Sequence, residues 1–230
     1  MKGGTVLSTL DEHTAMLTSR QDSTPPLDIG DSLTWERCLE GAGPASLLVV
    51  IQSRLGSVAS EVAAEDVLQE VLLKAWHSRS ALEWRGHRAF RSWLLTLADH
   101  CIADWLDRVN AAKRGGGNVR PFSVISGPDM PPPEGPPGTT TPSRLAVYRE
   151  QAAVIRTALD ELPDDVRDIV RMRLFEQRSL NEVAQALGLP LSTVQHRVRR
   201  GAALFKDRVR SVLGSERASV APKAGKDSVP

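Results

Sequence analysis

The side chains with the clearest chemistry lie between Ser179 and Gly201. Ser192, Thr193, Gln195, His196, Arg197, Arg199 and Arg200 place hydroxyl, amide, imidazole and guanidinium groups in one short stretch. Such groups bond to base edges and to phosphates. They would also suit the solvated face of an ordinary helical hairpin, so the elements around them decide the reading. Ser179 and Glu182 form an S-x-x-E capping box, which opens a helix by satisfying two orphan amides. Leu180, Val183, Ala184 and Leu187 recur at helical spacing. Gly188 follows where a left-handed C-cap is expected, and Pro190 fits the first turn of a second helix. That helix turns Val194 and Val198 inward and leaves the polar set outward or sideways. A capped helix, a glycine turn and a polar second helix predict a helix-turn-helix suited to a DNA major groove.

Composition narrows the function classes. The chain has 230 residues, 41% hydrophobic and 25% charged, an ordinary globular balance. Net charge is only +1, but it is unevenly spread. The first 33 residues are acidic, whereas Gln195 to Arg210 carries Arg197, Arg199, Arg200, Lys206, Arg208 and Arg210 against Asp207. Such a basic stripe is the footprint expected at phosphates. Cys38 and Cys101 stand far apart in apolar helical surroundings and read as small buried hydrophobes. No Cys/His cluster indicates a metal, and no cofactor motif is present. No nucleophile–base set or phosphate loop appears, and the histidines at 13, 77, 87, 100 and 196 are scattered, so an enzyme is not expected. The longest apolar run, Leu47 to Ile51, is too short to span a bilayer, and no signal peptide is indicated. A cytoplasmic location without membrane contact is the default.

Shifts in composition predict a polar tail over 1–33, a helical block over 34–114, a Pro/Gly-rich linker over 115–143, a second helical block over 144–213 and a tail over 214–230. No convincing strand pattern occurs, so the fold class expected is all-α: two small helical domains joined by the linker. In Ala64 to Trp76, Val67, Leu68, Val71, Leu72, Ala75 and Trp76 fall on one half of a helical wheel. Asp66, Gln69, Glu70 and Leu73 take the other half. An apolar residue within an acidic patch suits a docking face. From Phe90 to Leu106 an apolar stripe runs for four turns, with Trp93 and Trp105 as candidates for base stacking. Arg108, Lys113 and Arg114 follow as candidate phosphate contacts. Trp35, Trp76 and Trp84 read as core anchors. Pro163, Asp164 and Asp165 open a further helix, with acids at its positive end.

The order of these parts resembles the bacterial sigma-70 family, most closely its extracytoplasmic-function group. AEDVLQEVLLKAW (64–76) and FRSWLLTLADHCIADWL (90–106) are similar to sigma region 2. ALDELPDDVRDIVRMRLFEQRSLNEVAQALGL (158–189) and STVQHRVRRG (192–201) are similar to sigma region 4. The resemblance implies a factor that directs promoter-specific initiation by RNA polymerase. Asp66, Gln69, Glu70 and Leu73 would dock on the clamp helices of the polymerase core. The helix from Phe90 to Arg108 would open and read the −10 element, with Trp93, His100, Arg108, Lys113 and Arg114 as its contacts. Ser192, Thr193, Gln195, His196, Arg197, Arg199 and Arg200 would read the −35 element. The resemblance also admits an anti-sigma partner. Asp99, Asp104 and Asp107 stand along the −10 helix, where basic or amide residues are usual, and of the three only Asp104 has a family counterpart; Gln195 stands where a lysine is usual. Promoter elements two helical turns apart are separated by roughly 70 Å. A linker of about 29 residues at about 3.1 Å each reaches roughly 90 Å. The alternative is a helix-turn-helix regulator that binds duplex DNA without polymerase.

Overall fold

The structure is a computed structural model that describes residues 31–56, 62–113 and 141–220. All regular structure among these residues is helical. The first block holds α1 (Ser32–Ala42), α2 (Pro44–Leu55), α3 (Ala64–His77) and α4 (His87–Lys113). The second holds α5 (Pro142–Asp160), α6 (Asp164–Val170), α7 (Leu180–Leu187) and α8 (Leu191–Val220), with a π-turn at Arg171–Phe175 after α6. The all-α expectation is met.

Three expected edges move, each for a local reason. The Asp31 carboxylate accepts the Thr34 amide at 3.0 Å and so starts α1 at Ser32, inside the stretch read as tail. Thr141 caps α5 and Pro142 occupies its first turn, so that helix begins ahead of residue 144. At the other end, α8 continues to Val220, past the expected limit at 213. Most of the two tails and of the linker (1–30, 114–140 and 221–230) lies outside the described residues.

The centre of the molecule is α2. Leu47, Leu48, Val49, Val50 and Ile51 are all buried, so the helix is apolar on every side and must be covered on every side. It is packed against α3, α4, α5 and the π-turn. Beside it, the Trp35 ring meets Trp76 and Phe90 edge to face, both at 5.6 Å between centroids. Trp35 and Trp76 are buried and Trp84 is half-buried, consistent with their reading as anchors. Cys38 and Cys101 are buried and unbridged, and burial pushes both thiols up to about 11.

One apolar cluster runs from Trp35 in α1 to Leu213 in α8, so the two blocks share a core. Polar contacts line the seam between them. Arg91 of α4 is fully buried and donates to the Ala42 carbonyl at the end of α1 and to the Phe175 carbonyl at 2.8 Å. A cation at helix C-termini is favourably placed. Burial, then the nearby Arg54 charge, presses its guanidinium below the ordinary arginine value. Also along α1, Arg144 of α5 reaches Glu36 and Glu40, the latter at 2.8 Å. Tyr148, one turn further along α5, donates to the same Glu40 carboxylate at 3.0 Å. Arg156 bonds to Gln52, and Arg171 to Ser53.

Candidate nucleic-acid interface

The helix-turn-helix is built by local rules. The Ser179 amide donates to the Glu182 carboxylate at 2.6 Å, and the Glu182 amide to the Ser179 hydroxyl at 3.2 Å. These bonds hold the Glu182 carboxyl below its usual range. Gly188 ends α7 in the left-handed region at φ 62°, and the Leu189 amide reaches back to Ala184 at 3.0 Å. Pro190 stands just before α8 rather than inside it, and its carbonyl accepts the Val194 amide at 3.1 Å. Val194 is buried with Ile169 and Val183, while Val198 packs on that small core from its edge. Gly201 lets α8 close on α6, since a Cβ there would lie 2.5 Å from the Val170 Cγ2 atom.

This packing fixes which face of α8 is left over. Ser192, Gln195, His196 and Arg199 are exposed at i, i+3, i+4 and i+7, a single stripe along the helix. Arg200 is exposed beside it, and Thr193 and Arg197 are half-buried. Two of the arginines have partners within the chain. Arg200 pairs with the Asp165 carboxylate at 3.1 Å, and Arg197 donates to the Asp165 carbonyl at 3.3 Å. Asp165 therefore holds both guanidinium groups from the first turn of α6.

The first block presents the other candidates. On α3, Asp66 and Gln69 are exposed and Leu73 is half-buried. Glu70 is a correction to the wheel reading: it is buried, not outward. Its carboxylate accepts the Trp105 indole N–H at 2.8 Å and lies 3.1 Å from Lys74 and 3.5 Å from Arg108. The wheel splits α3 into two halves, but α2 and α4 both pack on it and Glu70 falls on the α4 side. Lys74 also bonds to Asp104. Although burial works against its charge, the bonds to Asp104 and Glu70 hold Lys74 above the ordinary lysine value.

Along α4, Trp93 is half-buried with its ring 5.8 Å from Phe90, and His100 is exposed. Arg108 lies over the Trp105 ring at 5.2 Å, and both reach the Glu70 carboxylate while staying half-buried. Lys113 is the last residue of α4, and Arg114 falls outside the described residues. Two of the three carboxylates have structural partners, Asp99 with Arg54 of α2 and Asp104 with Lys74 of α3, while Asp107 is exposed. The two paired carboxylates pin α4 to its neighbours.

Comparison with known proteins decides the family. The Sigma-70 region 2 family model matches residues 47–111, and Sigma-70 region 4 matches 152–204. The chain belongs to the sigma-70 family. Its relatives place it in the extracytoplasmic-function group. It is 24% identical over 202 residues to the ECF RNA polymerase sigma-E factor of Escherichia coli, covering 80% of this chain and 96% of the relative. It is 29% identical over 143 residues to RNA polymerase sigma-H factor of Pseudomonas aeruginosa, covering 60% and 68%. For the ECF RNA polymerase sigma factor SigX of Bacillus subtilis the identity is 29% over 136 residues, covering 58% and 65%. This sigma factor thus acts in transcription initiation. Region 2 comprises most of α2 through α4, and region 4 most of α5 through α8.

Sequence reasoning missed the residues of the seam. Arg91 carried a signal, since it shares a helical face with Leu94, Leu95 and Ala98, all buried. Glu36, Glu40, Arg144 and Tyr148 carried none, because their partners are about a hundred residues away in sequence. Among the described residues no helix is long and apolar enough to cross a membrane, and no three potential metal ligands gather.

Proposed function

We propose that this sigma factor recruits the RNA polymerase core through α3 and reads promoter DNA at two elements. The exposed stripe Ser192, Gln195, His196 and Arg199 on α8 carries the reading, because the helix-turn-helix core leaves that one face for a major groove. Thr193, Arg197 and Arg200 flank the stripe, and the two arginines exchange Asp165 for phosphate or base on binding. Asp66, Gln69 and Leu73 form the core-docking face, directed at the clamp helices. Glu70 supports that face from within by fixing α3 to α4. For the −10 element, His100 and Trp93 are the contacts on α4, with Lys113 and Arg114 beyond them, and Arg108 shapes the surface from behind. Such a factor works in the cytoplasm and makes no bond itself; polymerase does the chemistry. An anti-sigma protein is a compatible partner.

The test is reconstituted transcription with core polymerase and a promoter carrying both elements. Among the described residues Gln195 and Arg199 make no hydrogen bond or ion pair with another side chain, so their replacement by alanine reports DNA contact. Each lost base contact weakens promoter binding by about 1–3 kcal/mol. Asp66→Arg abolishes core recruitment and leaves duplex binding by α8 intact. Specific duplex binding without core, together with no initiation in its presence, would instead establish a polymerase-independent regulator.

A further inference from the structure

Among the described residues three large apolar side chains stand exposed: Leu33 in α1, Val147 in α5 and Leu191 in α8. Of these, only Leu191 adjoins the stripe proposed to read DNA. It is 41% exposed and is the first residue of α8. Ser192 follows it directly, Gln195 stands one turn on and Arg199 about two turns on. Leu191 therefore extends the stripe toward the end of a recognition helix that meets base edges.

Its place on that face is fixed from both sides. Gly188 sets the turn before it in the left-handed region. Val194, three residues after it, is buried with Ile169 and Val183, and its amide is held by the Pro190 carbonyl at 3.1 Å. The first turn of α8 thus cannot roll the leucine inward without pulling Val194 out of its core.

The chemistry of the side chain limits what it can read. Leucine neither donates nor accepts a hydrogen bond, so the donor and acceptor pattern of a base edge is invisible to it. Set against a phosphate it would strip water from a charge and return nothing. The apolar group that base pairs display in the major groove is the C5-methyl of thymine. A methylated cytosine carries the same group at the same carbon, and unmodified cytosine lacks it. Leu191 lies about 6 Å from Gln195 along the helix axis, close to two base steps of about 3.4 Å.

We infer that Leu191 is a specificity-determining residue of this factor, which reads the C5-methyl group of a pyrimidine in the −35 element, within about two base pairs of the base met by Gln195. The inference rests on the two-element reading above and adds to its polar contacts an apolar one. Burying one such methyl is worth about threefold to fivefold in affinity.

The experiment uses the full chain loaded on core polymerase. That holoenzyme first selects a promoter fragment from a pool with a randomised −35 element. Each thymine of the selected element is then replaced in turn by deoxyuridine, which removes the methyl and keeps every hydrogen bond. Each cytosine is replaced in turn by 5-methylcytosine, which adds the methyl. For the wild-type chain, deoxyuridine at one position lowers affinity about threefold to fivefold. Leu191→Ala loses about as much on the thymine fragment and no longer distinguishes thymine from deoxyuridine, whereas Leu191→Met, still apolar and of similar volume, keeps the distinction. A gain at a 5-methylcytosine that Leu191→Ala abolishes supports the same contact with the modified cytosine as its source. Should Leu191→Ala not fold by circular dichroism, Leu191→Gln, which keeps the length and loses the apolar end, is read in the same way. A wild-type chain indifferent to every methyl overturns the inference. So does a methyl preference that survives in Leu191→Ala, or an equal loss by that variant on thymine and deoxyuridine fragments, which would assign the leucine to the fold or to a polymerase surface. Selection of no −35 sequence brings down the two-element reading and this inference together, whereas a selected sequence without methyl dependence brings down this inference alone.

Discussion

The closest approach in region 4 predicts opposite outcomes for one substitution at two sites of a single helix. Gly201 and Gly214 both lie in α8. Replacing a helical glycine by alanine stabilises by about 0.5–1 kcal/mol when nothing is in the way. At Gly214 nothing lies within 4 Å of the added Cβ, so that gain is expected in full. At Gly201 the Cβ would fall 2.5 Å from Val170 Cγ2 and 3.3 Å from Val166 Cβ. Both valines are buried, so neither can swing into solvent. Overpacking of this kind costs about 1–3 kcal/mol. The net for Gly201→Ala is a loss of about 0–2.5 kcal/mol, while Gly214→Ala gains. Chemical denaturation of both variants separates the signs. Val170→Ala removes the methyl groups that clash, so the pair Gly201→Ala with Val170→Ala is less destabilised than the sum of the single changes. If Gly201→Ala stabilised as much as Gly214→Ala, the tight seating of α8 on α6 would be refuted.

Two further outcomes follow from buried and paired charges. Glu70→Ala leaves the Trp105 indole and Lys74 without their shared acceptor and costs about 2–4 kcal/mol by chemical denaturation, whereas Glu70→Gln retains an acceptor and costs less. Equal stability of all three proteins would show that the carboxylate does not tie α3 to α4. Asp165→Ala removes the carboxylate that competes for Arg200 and leaves the backbone carbonyl that Arg197 uses, so duplex DNA binds more tightly and with a steeper dependence on salt. A salt titration with unchanged slope would mean that Arg200 does not face phosphate.

What the sequence made legible was local. The capping box at Ser179 and Glu182 and the turn at Gly188 act within a few residues, so their residue types alone place them. The apolar run from Leu47 to Ile51 was too short for a bilayer, and it is the covered centre of the fold. Glu70 was misread because a helical wheel gives a direction and not the neighbour that lies there; its partners Trp105 and Arg108 arrive from α4. The seam was illegible for the same reason at longer range. Glu36 and Arg144 are 108 positions apart, and no periodicity connects them. The same limit applies to Asp99 and Asp104, whose partners Arg54 and Lys74 come from α2 and α3.

The position of α2 ties the histories of the two regions together. Its side chains answer to α3 and α4 on some faces and to α5 on another. A replacement that improves the fit within region 2 therefore alters the surface offered to region 4. Neither region can drift freely while the other stays fixed, and a recombinant that joined region 2 of one such factor to region 4 of another would inherit a poorly matched partner. The boundary drawn by the proline-rich stretch divides the chain but does not divide its constraints.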